Sequence, residues 1–444
     1  QPFDMTAVVE SFARGYRIAQ TEPQGPVYLC YDVNLQEDEF QGKLELPDPG
    51  RTLHTRLQAD PSDLEKAADM LTRAERPVII ADYLGRNQER VATLVELAEL
   101  LAAPVIDRNG RFNFPNTHPL YSLGRSPLEE ADLVLALDAR DFYGCLMETD
   151  VENQPIRPLI PAGCRLIEIS TGGLGVRGWS QHFQRFQQVD LSILADTYVA
   201  LPALLEACRR AAPAAPLSSS TAQRGVRIQE WAKRHEAQRQ RWREEARQNW
   251  EARPMTPSRM ASEVWEAIRT KDWVLTANTV EDWALKLWDF DVPYRHPGKA
   301  LGTATQIGIS LGVALAYKGS GKLVVDLQPD GDLLFDAGAL WVATHHQIPM
   351  LAVMYNNRAY WNDWDHQIRV ARMRGRNEAN AYLGMEIGRP EPDFAGLARS
   401  FGWYAEGPIE NGDEVRAAVE RAIRVIEKEG RPALVDVVTG FPEE

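Results

Sequence analysis

The sequence predicts an α/β protein of two successive Rossmann-like domains, each a parallel sheet wrapped by helices. Three observations predict it. Apolar runs of strand length alternate with amphipathic helical stretches over residues 60–205, and the same alternation resumes over 255–440. Between them, residues 211–221 are an Ala/Pro/Ser-rich linker. Strands separated by helices cannot pair as hairpins, so they form βαβ units and parallel sheets.

Taken in order, apolar residues at helical spacing (Val8, Val9, Phe12, Tyr16, Ile18) predict a first helix over 8–19. A turn at Pro23-Gln24-Gly25-Pro26 leads to a short strand over 27–31. One helix and one strand cannot enclose a core, so this piece completes a sheet supplied from elsewhere. Residues 63–74 read as helix with Ser62 as the N-cap. Strands follow at 77–81, 104–106, 133–137 and 165–169, with a helix over 89–101. Beyond the linker, Ile228, Trp231, His235 and Trp242 stripe one helix face while arginines and glutamates mix on the other. Mixed charge reads as a solvated face, not a nucleic-acid surface. The second domain reads as helices over 258–269, 302–317, 333–346 and 413–429, and strands over 273–276, 322–326, 350–355 and 433–438.

Composition narrows the function classes. The chain has 444 residues, 44% apolar, with 49 Lys+Arg against 63 Asp+Glu, a net charge of −14. That balance repels polyanions, so nucleic acid is not expected as a partner. No apolar run reaches the roughly 20 residues of a membrane span; 94–106 is interrupted by Glu96 and Glu99. Four scattered cysteines (Cys30, Cys145, Cys164, Cys208) form no CxxC pair and read as free thiols in a reducing compartment. A soluble, cytoplasmic protein is the expectation.

Chemistry concentrates in the second domain. The strand over 322–326 runs into Pro329-Asp330-Gly331-Asp332, and the strand over 350–355 ends in Asn356-Asn357. Ligands sit at the carboxyl ends of parallel strands, so a carboxylate and a carboxamide reach one rim. Asp and Asn oxygens are hard donors; with a backbone carbonyl and two diphosphate oxygens they complete the octahedral shell Mg²⁺ demands. Gly331 lets a diphosphate approach the backbone.

On these residues the chain resembles thiamine-diphosphate-dependent enzymes of the acetolactate synthase/pyruvate decarboxylase type, whose motif is GDG, about two dozen residues, then NN. The departure is Pro329 in place of the first Gly. The resemblance puts the metal on Asp330, Asn357 and the main-chain oxygen of Ala359, and the diphosphate near Gly331, Asp332 and Asn357. A second match is Gly298-Lys299-Ala300-Leu301-Gly302. There the family's bulky apolar residue, here Leu301, holds the cofactor bent, with Gly302 leaving room beside it. The segment after the metal site offers His366 and Gln367, with Tyr360 and Asn362, for substrate contact or proton transfer. His345 and His346 read as surface histidines, and no glycine fingerprint for FAD or NAD is present.

The resemblance further implies a domain map. Residues 1–45 would be the end of a pyrimidine-binding domain, 60–205 the central domain, 206–254 a linker and connecting helix, and 255–440 the diphosphate-binding domain. Most of the pyrimidine domain, with the glutamate that activates the cofactor, is missing from this map. A partner chain would supply it in a hetero-oligomer, or processing has removed it. Homo-association is also expected. The implied activity is carboligation or decarboxylation of a 2-oxo acid, acetolactate-synthase-like. The alternatives are a C–C lyase on 2-hydroxy ketones or 2-hydroxyacyl thioesters, and a catalytically silent cofactor-binding subunit.

Overall fold

The architecture follows from two long apolar strand sets, each buried from both sides. The computed structural model describes residues 4–37, 39–40, 42–48, 51, 55–150, 155–172, 185–212, 219–276, 283–298 and 303–441. Leu301 and Gly302 lie outside the described residues.

The first sheet contains β1 (Pro77–Ala81), β2 (Val105–Asp107), β3 (Tyr121–Ser122), β4 (Leu133–Leu137), β5 (Arg165–Ser170) and β6 (Leu191–Leu194), ordered β3-β2-β1-β4-β5-β6. All its pairings are parallel. Strands β1 and β4 are buried along their whole length because helices cover both faces, which is why they read as unbroken apolar runs. Helix Pro61–Arg73 begins two residues earlier than predicted, and its cap is Asp60, not Ser62. The Asp60 carboxylate accepts the Ser62 N–H at 2.8 Å, so Ser62 already lies inside the first turn.

The order of this sheet reverses between β1 and β4, where a nucleotide would sit in a doubly wound fold. Here the chain fills that crevice itself. Asp138 at the end of β4 takes up φ +50°. Its carboxylate receives Arg86 Nη1 and the Thr197 hydroxyl. The same guanidinium reaches Glu22 at 3.1 Å and Asp196 at 3.2 Å, tying the N-terminal segment to the sheet.

The second sheet contains β7 (Trp273–Leu275), β8 (Leu323–Pro329), β9 (Leu351–Asn356), β10 (Tyr404–Ile409) and β11 (Ala433–Val438), ordered β10-β11-β9-β8-β7 and wholly parallel. Helices Pro257–Ile268 and Gly412–Glu429 line one face. Gln306–Ala316, Ala339–His345 and Phe394–Ser400 line the other. An aromatic cluster anchors the edge: Trp265 stacks on Trp288 at 5.9 Å, and Trp273 meets both edge-on.

Three expectations change. Residues 27–31 form no strand. The single helix expected over 333–346 is two, Asp330–Phe335 and Ala339–His345, broken at Asp336 (φ −139°). Strand β10 was not foreseen. Helix Met5–Gln20 forms as predicted, capped by Asp4, and exposes Phe12, Tyr16 and Ile18. No helix among the described residues is long and apolar enough to cross a membrane.

The domains share a clasp. Asn116 Nδ2 donates to the carbonyls of Leu285 (3.0 Å) and Trp288 (2.8 Å), while Asn116 Oδ1 accepts the Phe290 N–H at 2.8 Å. The long helix Ser219–Glu245 joins in through His235, bonded at 2.8 Å to the Asn116 carbonyl.

Candidate active site

Strands β8 and β9 run parallel with Pro329 opposite Tyr355, so Asp330 and Asn356-Asn357 emerge side by side at one carboxyl rim. Asp330 opens its helix and is only 1% exposed. Its Oδ1 accepts the Gly331 N–H at 2.8 Å, and its Oδ2 accepts the Arg358 N–H at 2.6 Å. Burial nevertheless dominates and pushes the carboxyl up to about 7, ahead of the backbone donors that pull it down. Asn357 is 8% exposed, its Oδ1 taking the Ala359 N–H at 3.0 Å. Arg358 between them adopts φ +59°, the left-handed turn that folds the Asn-Asn pair back over Asp330. Its side chain is held outside by Glu391 and by Glu410 at 3.1 Å.

These groups fit a hard divalent cation. One carboxylate, one carboxamide and the main chain of Ala359 converge, and a carboxyl buried this deeply needs a positive charge to ionise fully. No cluster of three or more His, Cys, Asp or Glu side chains among the described residues offers another cage. The short donor set matches a metal whose remaining ligands come from a bound diphosphate.

The other candidate residues each have surroundings of their own. A Cβ on Gly331 would lie 2.5 Å from Cδ1 of Tyr360, so the glycine makes room for that ring on the face tested by its missing side chain. Tyr360 in turn packs on Phe335. Asp332 is engaged with its own chain: its carboxylate accepts the Ala304 N–H and Gln328 Nε2. It thereby fastens the segment after Gly302 to the rim. His366 and Gln367 are both exposed on helix Trp361–Met373, and no hydrogen bond among the described residues joins either to Asp330 or Asn357. Asn362 is exposed too, and His345 stacks on Trp341 at the surface.

Sequence reasoning passed over a polar layer beneath the rim. Asp326 and Gln328 alternate on one face of β8, both fully buried, with Asp326 Oδ1 receiving Gln306 Nε2 at 2.8 Å. Asp436 on β11 receives Asn356 Nδ2 at 3.0 Å, which fixes the first asparagine as scaffold. The i, i+2 polar spacing in an otherwise apolar strand was the available signal.

Residues 279–437 match the family model described as thiamine pyrophosphate enzyme, C-terminal TPP binding domain. Residues 64–204 match thiamine pyrophosphate enzyme, central domain. The chain is 23% identical over 470 aligned residues to "Probable acetolactate synthase large subunit" of Methanocaldococcus jannaschii, covering 97% of this chain and 69% of that protein. It is 24% identical to "Probable acetolactate synthase 2, chloroplastic" of Oryza sativa subsp. japonica, covering 99% of this chain but 64% of the relative's length. Among solved structures, benzoylformate decarboxylase from Polynucleobacter necessarius superposes with TM-score 0.71 at 18% identity, over 100% of this chain and 76% of that one.

Proposed function

Because the chain belongs to the thiamine pyrophosphate-dependent enzymes, carrying their central and C-terminal domains, we propose that it forms or breaks C–C bonds next to a carbonyl, as an acetolactate-synthase-like carboligase or 2-oxo acid decarboxylase. The observation that carries this reading is the rim where Asp330 meets the Asn357-Arg358 turn. Asp330, Asn357 and the Ala359 carbonyl would hold Mg²⁺, and the Gly331 turn would lie beside the diphosphate of thiamine diphosphate. When bound, that cofactor supplies a nucleophilic carbon and a sink for the electron pair released on cleavage. The chain's own task is to fix the metal, orient the diphosphate and keep water from the buried carboxyl. Leu301 and Gly302 are proposed for the cofactor's bend, and His366 and Gln367 for the substrate end. The domain limits 60–205 and 255–440 belong to the same proposal.

The activating glutamate comes, in this reading, from a pyrimidine-binding domain outside these 444 residues, in the same protein or on a partner chain. The exposed Phe12, Tyr16 and Ile18 of helix Met5–Gln20 and the strandless stretch after it support a docking face there. Exposed Phe335, Trp341 and Leu383 support homo-association through the second domain.

Equilibrium dialysis tests the metal site. Wild type is expected to retain thiamine diphosphate only with Mg²⁺, and Asp330→Ala to lose about 100-fold or more in affinity. Stoichiometric cofactor in that variant would move the site elsewhere. On the assembled protein, CO₂ release from pyruvate, set against cleavage of a 2-hydroxy ketone, separates carboligase from lyase. Cofactor binding with neither activity would mark the silent subunit.

A further inference from the structure

A cavity of about 620 Å³ lies at the seam between the domains and shares no residue with the Asp330 rim. It is lined by the edge strand β3 and the turn after it, the long helix Ser219–Glu245, and Lys286 of the short helix Trp283–Leu287. The volume falls in the range of small-molecule sites. Its walls are flat and aromatic, from Tyr121, Trp231 and Trp242.

The charge around it is unusual for this molecule. In a chain of net charge −14, the lining includes Arg234, Arg241 and Lys286 and no aspartate or glutamate. Arg234 is already neutralised, by Glu130 at 2.7 Å and Glu230 at 2.6 Å. The other two are not. Arg241 donates only to the neutral Gln238 amide at 2.6 Å, and Lys286 rests over the Trp283 ring at 4.4 Å. Neither makes an ion pair among the described residues. His235 adds an acceptor. Its Nε2 lies 2.8 Å from the Asn116 carbonyl, which can only accept, so the proton sits on Nε2 and Nδ1 keeps its lone pair in the neutral ring. Burial, the largest influence, lowers the pKa of His235 and favours that neutral form.

We propose that this cavity is a second ligand site that takes a flat organic anion, an aromatic or heteroaromatic ring bearing a carboxylate or a phosphate. The ring stacks on Trp242, whose neighbour Trp231 is already covered by Arg234 at 4.7 Å, and the anionic group answers Arg241 and Lys286. The site is independent of the thiamine reading and stands if that reading fails. It touches both domains and the clasp between them. The helix that carries Lys286 follows β7, a strand of the same rim-bearing sheet, so occupancy bears on the second domain's edge.

Isothermal titration of the full chain with two probes, 2-naphthoate and adenosine monophosphate, tests it and separates the carboxylate source from the phosphate source. At least one probe is expected to bind one-to-one with a dissociation constant below about 1 mM at low salt, weakening as salt rises. Lys286→Gln and Arg241→Gln should each weaken it about tenfold, with the thermal midpoint unchanged because both side chains reach solvent. Trp242→Ala should weaken either probe while Trp242→Phe keeps most of the affinity. Failure of both probes to bind at about 5 mM, a concentration far above that expectation, overturns the proposal. Binding that survives the Arg241→Gln/Lys286→Gln double variant undiminished overturns it equally.

Discussion

At the residue scale, Asp330 behaves as a carboxyl caught between its backbone donors and its burial, and burial wins. Without a cation it holds its proton until about pH 7, against 3.8 for an ordinary aspartate. The sign follows directly. Where the unfolded carboxylate has lost a proton that the folded one keeps, stability falls as pH rises, so this group weakens the metal-free fold between about pH 4 and 7. A cation must displace that proton. Mg²⁺-dependent retention of thiamine diphosphate is therefore expected to weaken as pH drops through 7 towards 6, read by dialysis across that window; a flat profile would mean Asp330 is not the ligand. Gly331 gives a second residue-level prediction. An alanine there drives a methyl to 2.5 Å from the Tyr360 ring, and overpacking of this kind costs about 1–3 kcal/mol. Denaturant melts of Gly331→Ala should show that loss, and Gly331→Ala/Tyr360→Ala should recover part of it. The sequence exposed Asp330 and Asn357 because their residue types and spacing are intrinsic to the chain. It could not expose the turning of Asp332 towards Ala304, which depends on a loop packed 28 positions away.

At the element scale, strands were most legible where both faces are buried, as in Val78-Ile79-Ile80 and Leu133–Leu137, since an apolar run needs no periodicity to be recognised. Strand β10 was hidden by Glu406-Gly407-Pro408, which reads as a turn. It survives at the sheet's edge, where a proline costs no inner hydrogen bond and the register slips between Glu406 and Ile409. The stretch at 27–31 shows the reverse: β-forming residues by themselves make no strand. Helix Trp361–Met373 buries no residue fully and is held by rings, Trp361 stacked on Phe441 at 4.2 Å and Trp364 near both Phe441 and Tyr382. Removing Phe441 as Phe441→Ala is expected to speed amide hydrogen exchange across 361–373 by tenfold or more, roughly 1.4 kcal/mol of local stability, while leaving β8 and β9 protected. Equal loosening of the strands would show that the rings support the whole domain.

At the scale of the whole molecule, the two sheets melt as partners only as far as their shared contacts hold them. Asn116 satisfies three backbone groups across the seam, two carbonyls and one N–H, all inside the protein. Asn116→Ala leaves them unpaired at about 1–3 kcal/mol each before relaxation, and calorimetry should then show two transitions where wild type shows one more cooperative peak. If the peak stays single and unshifted, the domains are joined by other contacts. The tryptophans give this experiment an optical handle. Trp265, Trp273 and Trp288 sit within 6 Å centroid to centroid in stacked and perpendicular pairs on the second sheet. Among the described residues, the first sheet's buried cluster contains no tryptophan and is touched at its margin by Trp231. Rigid, close indoles in an asymmetric setting give near-ultraviolet circular dichroism a strong contribution from the second sheet. Far-ultraviolet ellipticity reports both halves. The lag between the two signals on heating would tell which sheet lets go first, with no dye attached and no residue changed.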